Sequence, residues 1–146
     1  MKRIAQFYEA IKNDMEMTLA TASKTSVTMR VVSPVYYDGN ILIFTSPDSV
    51  KYRQLSENPD CCIGAGGCFA QAKAVFLGKT MADENMEYRN AYCGKFPGAF
   101  DEGVPLGGRE AEFILFKPVK LTGWSYENDI PTDDGIPTLP FEINFE

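Results

Sequence analysis

Hydroxyl residues and a lysine follow one another closely in the pattern Thr45-Ser46-x-x-Ser49-x-Lys51, where a predicted strand is followed by a predicted helix. The first N–H groups of a helix lack intrahelical partners, and the partial positive charge there attracts anions. Hydroxyl groups and a lysine at that end form a suitable pocket for a phosphate group. The same pattern fits a capped surface helix with an exposed lysine, and spacing alone does not decide between the two interpretations.

A second cation lies on a predicted neighbouring strand over residues 27–37. Side chains alternate between the two faces of a strand, so Arg30 points away from Met29 and Val31. It can therefore supply a second positive charge to the same pocket. The pattern places Val27, Met29, Val31, Val35 and Tyr37 on one face, and Thr28, Arg30 and Val32 on the other.

The sequence contains no histidine, so it lacks the usual general base at neutral pH and the commonest metal ligand. Ser-His and Cys-His nucleophile systems are excluded. The cysteines include no CxxC pair, and their spacing fits no structural zinc pattern. We interpret them as reduced thiols and predict no metal site. They are Cys61, Cys62, Cys68 and Cys93.

The chain has 146 residues, of which 45% are hydrophobic and 23% charged, values typical of one globular domain with its own core. Wholesale disorder, collagen and a coiled coil are excluded. No apolar run approaches the ~20 residues that span a bilayer, and the first residues lack the apolar core of a signal peptide. We therefore expect a soluble, cytoplasmic protein without a membrane partner.

The net charge of −6 is concentrated at one end of the sequence. No Lys or Arg follows Lys120, whereas the acidic residues Glu127, Asp129, Asp133, Asp134, Glu142 and Glu146 do. The rest of the chain is neutral overall. Because duplex-binding proteins normally carry a basic excess, we expect no nucleic-acid partner.

Hydrophobic periodicity predicts a first helix. Ile4, Phe7, Tyr8 and Ile11 recur at helical spacing, so residues 3–13 form an amphipathic helix whose apolar face covers a core.

Two further helices are indicated by residues that favour helix starts, because their side-chain oxygens accept hydrogen bonds from unpaired N–H groups. Ser46 is expected to cap a helix that has Pro47 in its first position and ends at residue 57. Asp83 is expected to cap another helix over residues 84–93.

Six strands are predicted, and the most specific local signal is Asp38-Gly39, a pair that favours a tight hairpin turn. A tight hairpin joins antiparallel strands, so a parallel doubly wound sheet is disfavoured. Pro118 indicates an edge position or a bulge in the last strand. Gly64-Ala65-Gly66-Gly67 is interpreted as a strand end, because no helix follows it as a dinucleotide loop requires. The strands cover residues 17–21, 27–37, 40–45, 61–65, 73–80 and 112–124.

Strands joined by hairpins and short helices predict a mostly β fold, a six-stranded antiparallel barrel with peripheral helices and a Greek-key-like order. Residues 1–124 form this barrel domain. Residues 125–146 form an acidic arm or tail that is not a separate domain. Disorder is one interpretation of this tail, but Phe141, Ile143 and Phe145 alternate as in a strand that pairs with something. We hypothesise that the arm embraces a dimer partner or closes the pocket.

Several short motifs occur together in an order that resembles the FMN-binding split β-barrel family related to pyridoxamine 5′-phosphate oxidase. The likeness covers roughly residues 1–124, and the small nitroimidazole-reductase-like and general-stress-protein-like branch is the best size match. The motifs are Met29-Arg30-Val31-Val32, Asp38-Gly39, Phe44-Thr45-Ser46, Ser49-x-Lys51, Gln54-Leu55 and Asn58-Pro59.

This resemblance implies a homodimer with FMN bound at the interface. By the family pattern, Arg30 and Lys51 hold the FMN phosphate together with the three hydroxyl residues Thr45, Ser46 and Ser49. The backbone of Arg30, Val31 and Val32 runs along the isoalloxazine ring, and Lys73 reaches the cofactor, in some members from the partner subunit. Relatives that use FAD, a deazaflavin or haem share the barrel.

The resemblance implies an FMN-dependent oxidoreductase that passes electrons or a hydride to a small-molecule acceptor, with no catalytic side chain assigned because the flavin performs the chemistry. The alternative is a non-catalytic flavin-binding, storage or sensor protein of the same fold. Pyridoxamine 5′-phosphate oxidase itself grips its substrate with a basic, histidine-containing C-terminal segment. The sequence has no such segment after Lys120, so we do not expect that activity.

Overall fold

A computed structural model describes residues 2–125 and 139–146 of the chain. Within them lie eight strands, three α-helices and two 3₁₀ turns, at Asp83–Asn85 and Gly108–Glu110. The α-helices are α1 (Lys2–Asn13), α2 (Val50–Glu57) and α3 (Met86–Lys95). The strands are β1 (Met17–Ala22), β2 (Val27–Val32), β3 (Val35–Tyr37), β4 (Asn40–Thr45), β5 (Asp60–Ala65), β6 (Cys68–Lys79), β7 (Glu112–Ser125) and β8 (Leu139–Asn144).

The sheet curls because its two end strands are consecutive in sequence. Its order is β2-β1-β5-β6-β7-β4-β3, with β8 added to β7, and each pair is antiparallel. Seven flat strands would separate β2 from β3 by about 29 Å. The Ser33-Pro34 link reaches about 11 Å at most. The sheet must therefore bend into a barrel, as the sequence predicts. The barrel is split between β2 and β3, which pair with different strands.

The split between β2 and β3 is bridged by side chains of α3. The Tyr92 hydroxyl donates to the Ser33 carbonyl at 2.9 Å, and the Lys95 ammonium donates to the Pro34 carbonyl at 2.8 Å. Lys95 also donates to carbonyls at the end of α1, those of Ile11 at 2.8 Å and Asp14 at 2.5 Å. One ammonium group thus joins two helices to the crossover.

The core lies inside the curl and under α1. Phe7 and Ile11 of α1 are fully buried, which confirms the predicted amphipathic helix and its role as a cover. In β1, Met17, Leu19 and Thr21 point inward and are buried, while alternate residues are half-buried. Burial of such apolar side chains is the main favourable term in folding.

The predicted single strand over residues 27–37 is wrong in one respect. It is two strands, because β2 pairs with β1 whereas β3 pairs with β4 at the opposite end of the sheet. The residues predicted to share one face of that strand also lie in different environments. Val27, Met29 and Val31 are exposed on the outside of the barrel, while Val35 is buried.

The tight turn and the bulge are both confirmed. Asp38 and Gly39 adopt positive φ angles of 46° and 81° in the β3–β4 hairpin. The register between β6 and β7 shifts beside Pro118, so a central strand accommodates a proline through a bulge.

The third predicted helix starts later than expected. Asp83 begins a 3₁₀ turn, and α3 starts at Met86 with no side-chain hydrogen bond at its cap. Asn85 is buried instead, where its amide donates to the carbonyls of Leu77 and Lys79. A long loop follows to Glu112, interrupted by the 3₁₀ turn at Gly108–Glu110.

The C-terminal alternation marks a strand. In β8, Phe141 and Ile143 lie half-buried against the core, and the strand pairs with the second half of β7. The eight strands exceed the predicted six because residues 27–37 divide and β8 is added. The proposed arm falls largely on residues 126–138, which lie outside the described residues.

No helix in the described part of the chain is long and apolar enough to cross a membrane.

The β5–β6 turn offers a test of the packing between α1 and the barrel. At Gly66, φ is +59° and an added Cβ would lie 2.9 Å from Ala10 Cβ, whereas Gly67 has φ +74° and open space around it. Each Gly→Ala change costs about 1–2 kcal/mol for its backbone conformation. Gly66→Ala should cost about 1–3 kcal/mol more through overpacking against α1. Urea denaturation of both variants measures this difference, and equal losses would contradict the packing described.

Candidate functional site

The start of α2 differs from the prediction by a few residues. Ser49, not Ser46, is the N-cap, because its hydroxyl accepts from the Tyr52 N–H at 3.3 Å and the helix begins at Val50. Ser46 instead accepts from the Asp48 N–H in the preceding turn, at 3.2 Å. The predicted anion-binding motif therefore surrounds a helix start, and the N-cap of that helix is Ser49.

Three of the predicted residues meet at this helix start. The hydroxyl oxygens of Thr45 and Ser49 lie 3.1 Å apart, with Thr45 buried at the end of β4. Lys51 is half-buried in the first turn of α2. An open cleft of about 1120 Å³ begins here, and Thr45, Ser46, Ser49 and Lys51 all line it.

The far wall of this cleft is acidic. Asp101, Glu102 and Glu110 line it, as does Arg109, whose guanidinium lies 3.9 Å from the Glu102 carboxylate. Asp48, in the turn before α2, also lines the cleft. Carboxylates repel a phosphate, so an anion is favoured only beside Lys51 and the first N–H groups of α2.

Arg30 lies on the opposite face of β2 from Met29 and Val31, as its alternation predicts, and that face is the inner one. It does not line the cleft; its guanidinium is held by neutral oxygens of β1 and β2. Nη1 donates to the Leu19 carbonyl at 3.1 Å and to the Thr21 hydroxyl at 2.8 Å, and Nη2 donates to the Thr28 hydroxyl. Burial lowers the pKa of Arg30 from its ordinary value.

The positive charge of Arg30 acts on Lys51. Burial lowers the pKa of Lys51 first, and the nearby positive charge of Arg30 lowers it further. Among the described residues, no carboxylate forms an ion pair with either side chain. Two cations held near each other without a counter-ion form a site that attracts an anion.

Sequence reasoning missed the structural role of Gln54. It is only 5% exposed, and its side-chain oxygen accepts from the hydroxyls of Thr21 at 2.5 Å and Thr28 at 2.6 Å. Its amide nitrogen donates to the Ser26 hydroxyl at 3.3 Å. A glutamine inside a short helix carries no sequence signal for this network, since it depends on which strands lie beneath the helix.

Val31 and Val32 lie at the end of an edge strand. Within the described ranges β2 pairs only with β1, so alternate backbone groups on its other edge remain open. Val31 is exposed on the outer face, and Val32 packs against the core.

Lys73 lies apart from the α2 start and forms an ion pair with Asp60. Its ammonium lies 2.7 Å from the Asp60 carboxylate on the exposed face of β5 and β6. The structure does not bring it to the other predicted residues within this chain. Its role toward a cofactor, as part of a neighbouring subunit's site, stays a prediction.

The four cysteines are free, and Cys68 is buried while the others are half-buried. Burial is the main cause that raises the pKa of the Cys61 thiol to about 12. A protonated thiol is a poor nucleophile and a poor metal ligand. No cluster of three or more acidic or cysteine side chains in the described residues could hold a metal ion.

No family model and no curated protein matches the sequence. Among the solved structures that match its fold, three do so over most of their lengths, each at 12% sequence identity. General stress protein 26 from Bacillus anthracis has a TM-score of 0.64, with 99% of this chain and all of that chain covered. An FAD-binding protein from Mesorhizobium loti has a TM-score of 0.63 (80% and 90% covered), and a pyridoxamine 5′-phosphate oxidase-like protein from Listeria innocua has 0.62 (82% and 95%).

This chain has the split-barrel fold. At this level of identity the likeness concerns the fold alone, and it confirms the predicted fold class. The residues predicted from sequence to bind a cofactor lie in two places in this fold, apart from Lys73. Thr45, Ser46, Ser49 and Lys51 lie at the α2 start, and Arg30, Val31 and Val32 lie on β2.

The helix cap can be tested in the split barrel by paired substitutions. Ser49→Ala removes the hydroxyl that accepts from the Tyr52 N–H, and such a change costs about 0.5–2 kcal/mol. Ser46→Ala should change the free energy of unfolding by less than about 0.5 kcal/mol, because that side chain is exposed. Thermal unfolding measures both, and an equal or larger loss for Ser46→Ala would contradict the assigned cap.

Proposed function

We propose that this protein is a dimeric FMN-dependent oxidoreductase whose cofactor phosphate binds between Arg30 and Lys51. One observation carries the proposal: the positive charge of Arg30 on β2 acts on Lys51 in the first turn of α2, and neither cation has a carboxylate partner in the described residues. The fold supports it, because flavin-binding proteins are among those that share it.

A phosphate monoester fits this charge pattern. It carries about −1.5 to −2 charge at neutral pH and offers three acceptor oxygens. Arg30 and Lys51 would neutralise that charge, while the hydroxyls of Thr45, Ser46 and Ser49 and the first N–H groups of α2 would donate to the remaining oxygens. The acidic wall of the cleft would be left to face the non-phosphate part of a ligand or solvent.

The flavin ring would lie along the end of β2. The open edge of that strand offers alternate backbone groups within the stretch Arg30, Val31 and Val32 as hydrogen-bond partners for the polar rim of the ring. When bound, FMN supplies reversible two-electron chemistry, accepting electrons from a reduced donor and delivering them to a small acceptor. The protein's own residues bind and orient it.

A second copy of the chain is the proposed partner. The outer face of β2 exposes Met29 (71%) and Val31 (59%), and the register places Ala20 beside Met29 and Thr18 beside Val31. Farther along the same face, Phe69 is also exposed (54%), opposite Gly64. Exposed apolar side chains among small ones form a flat surface suited to pairing with its copy.

The direct test of the cofactor is an absorbance spectrum of the purified protein, with the heat-released ligand identified by mass. A two-band flavin spectrum with released FMN is expected, followed by bleaching on addition of NADH or NADPH and recovery with an acceptor. Released FAD or a haem or deazaflavin spectrum would contradict FMN as the cofactor. Bound FMN that no donor reduces would favour the storage or sensor alternative.

Lys51→Gln should separate cofactor binding from stability. Loss of a charged donor to phosphate is worth about 1.5–3 kcal/mol, so FMN affinity should fall roughly 10–100-fold. The cofactor-free variant should be at least as stable as the wild type, because it lacks the repulsion between Lys51 and Arg30. Fluorescence titration with FMN and urea denaturation of the cofactor-free proteins measure the two effects.

The pH dependence follows from the lowered pKa of Lys51. Between the folded and unfolded pKa values the unfolded chain binds more protons, so wild-type stability should rise with pH in that window relative to Lys51→Gln. Below the pKa of Lys51 in the folded protein, the repulsion between Lys51 and Arg30 is fully present. The difference in free energy of unfolding between the wild type and Lys51→Gln is then largest. Lys24→Gln, an exposed turn position, is the matched control. A gap that widens with rising pH, or unchanged FMN affinity, would contradict the assignment.

Met29→Glu should disrupt the proposed dimer. A carboxylate on the apolar outer face of β2 would have to be desolvated on pairing, which costs several kcal/mol. Sedimentation analysis should show a dimer for the wild type and a monomer for the variant, while Thr25→Glu in the exposed β1–β2 turn should leave the dimer intact. A monomeric wild type, or a Met29→Glu dimer of unchanged affinity, would count against this surface.

A further inference from the structure

We infer that Gln54 is a positioning residue that aims Arg30 at the anion, an inference that rests on the proposed phosphate site. Gln54 makes no direct hydrogen bond with Arg30. It acts through the hydroxyls of Thr21 and Thr28, which lie between the two side chains.

The direction of each hydroxyl proton is the first step of the argument. A threonine hydroxyl has one proton to donate and lone pairs with which to accept. The side-chain oxygen of Gln54 is only an acceptor, so the Thr21 and Thr28 hydroxyls must donate to it. Their lone pairs are then available to the Arg30 guanidinium, which can only donate.

The orientation of Gln54 itself is fixed by its other group. Its amide nitrogen donates to the Ser26 hydroxyl in the β1–β2 turn. A flipped amide would direct N–H donors at Thr21 and Thr28, and these hydroxyls would then have to turn their protons toward Arg30. The contact with Ser26 therefore helps to keep the acceptor oxygen directed at the two threonines.

The network uses one part of the guanidinium and leaves another open. Three of the five N–H groups of Arg30 are engaged, two on Nη1 and one on Nη2. The Nε–H and the second Nη2–H have no acceptor among the described residues. Neighbouring N–H groups of a guanidinium form a fork that binds two oxygens of a phosphate in parallel.

The neutrality of the network matters as much as its geometry. All acceptors of Arg30 are uncharged: a carbonyl and two hydroxyls. A carboxylate in the place of Gln54 would compensate the positive charge of Arg30 and weaken its attraction for an anion. An amide holds the same geometry and leaves the charge available.

The test compares FMN with riboflavin, which has the same ring and lacks the phosphate. In Gln54→Leu the two hydroxyls lose their acceptor, so Arg30 loses its fixed orientation. FMN affinity should fall about tenfold or more, while riboflavin affinity changes less than about twofold. Ser56→Ala, an exposed position on the same helix, is the control and should change neither affinity.

Thr28→Val provides a second variant in case Gln54→Leu does not fold, because valine keeps the shape of threonine. It removes the acceptor of Nη2 and should lower the preference for FMN over riboflavin in the same direction. Equal losses of FMN and riboflavin affinity in these variants would indicate a merely structural role and overturn the inference, as would unchanged FMN affinity.

Arg30→Ala separates this inference from the proposed function. If Arg30→Ala leaves the preference for FMN over riboflavin unchanged, the phosphate site itself is misassigned, and the role of Gln54 falls with it. If Arg30→Ala abolishes that preference but the Gln54 and Thr28 variants keep it, the site stands and only the positioning role is overturned.

Discussion

The two-residue link between β2 and β3 is the constraint on which the rest of the structure depends. Because these strands stand at opposite ends of the sheet order, Ser33-Pro34 can join them only if the sheet closes on itself. The carbonyls of the link are held by Tyr92 and Lys95 of α3. Closure turns β2 so that Arg30 faces inward under α2 while Met29 faces outward. The candidate phosphate site and the candidate dimer surface are thus opposite faces of one strand.

Arg30 and Lys51, the two cations near the α2 start, have no carboxylate partner among the described residues. Burial lowers the pKa of Lys51, the nearby charge of Arg30 lowers it further, and the Arg30 guanidinium donates to neutral oxygens. Such local conflict is typical of binding sites, where the ligand relieves what the fold alone leaves unfavourable. Most acidic residues of the cleft belong to the loop before β7, and Asp48 lines it in the turn before α2.

Much of this could be predicted from sequence, because the relevant signals are local. Helical spacing gave α1, the Asp38-Gly39 turn marked its hairpin, and alternation placed Arg30 on the opposite side from Met29. Alternation could not show that the strand breaks at Pro34, since Val31 and Val35 keep the same parity through the break. Nor could it show that the apolar side of β2 lies outside, because that depends on which face of the sheet is covered. Gln54-Leu55 is among the motifs of the resemblance, but the hydrogen bonds of Gln54 were not predicted, because they depend on which strands lie beneath α2.

A crystal structure of the protein with bound FMN would test the central claim most directly. The account predicts the phosphate within hydrogen-bond distance of the free N–H fork of Arg30, the Lys51 ammonium and the Ser49 hydroxyl, with the ring along the end of β2. A phosphate bound elsewhere, for example at Arg109 on the acidic wall of the cleft, would contradict it, as would an Arg30 side chain still bonded only to Leu19, Thr21 and Thr28.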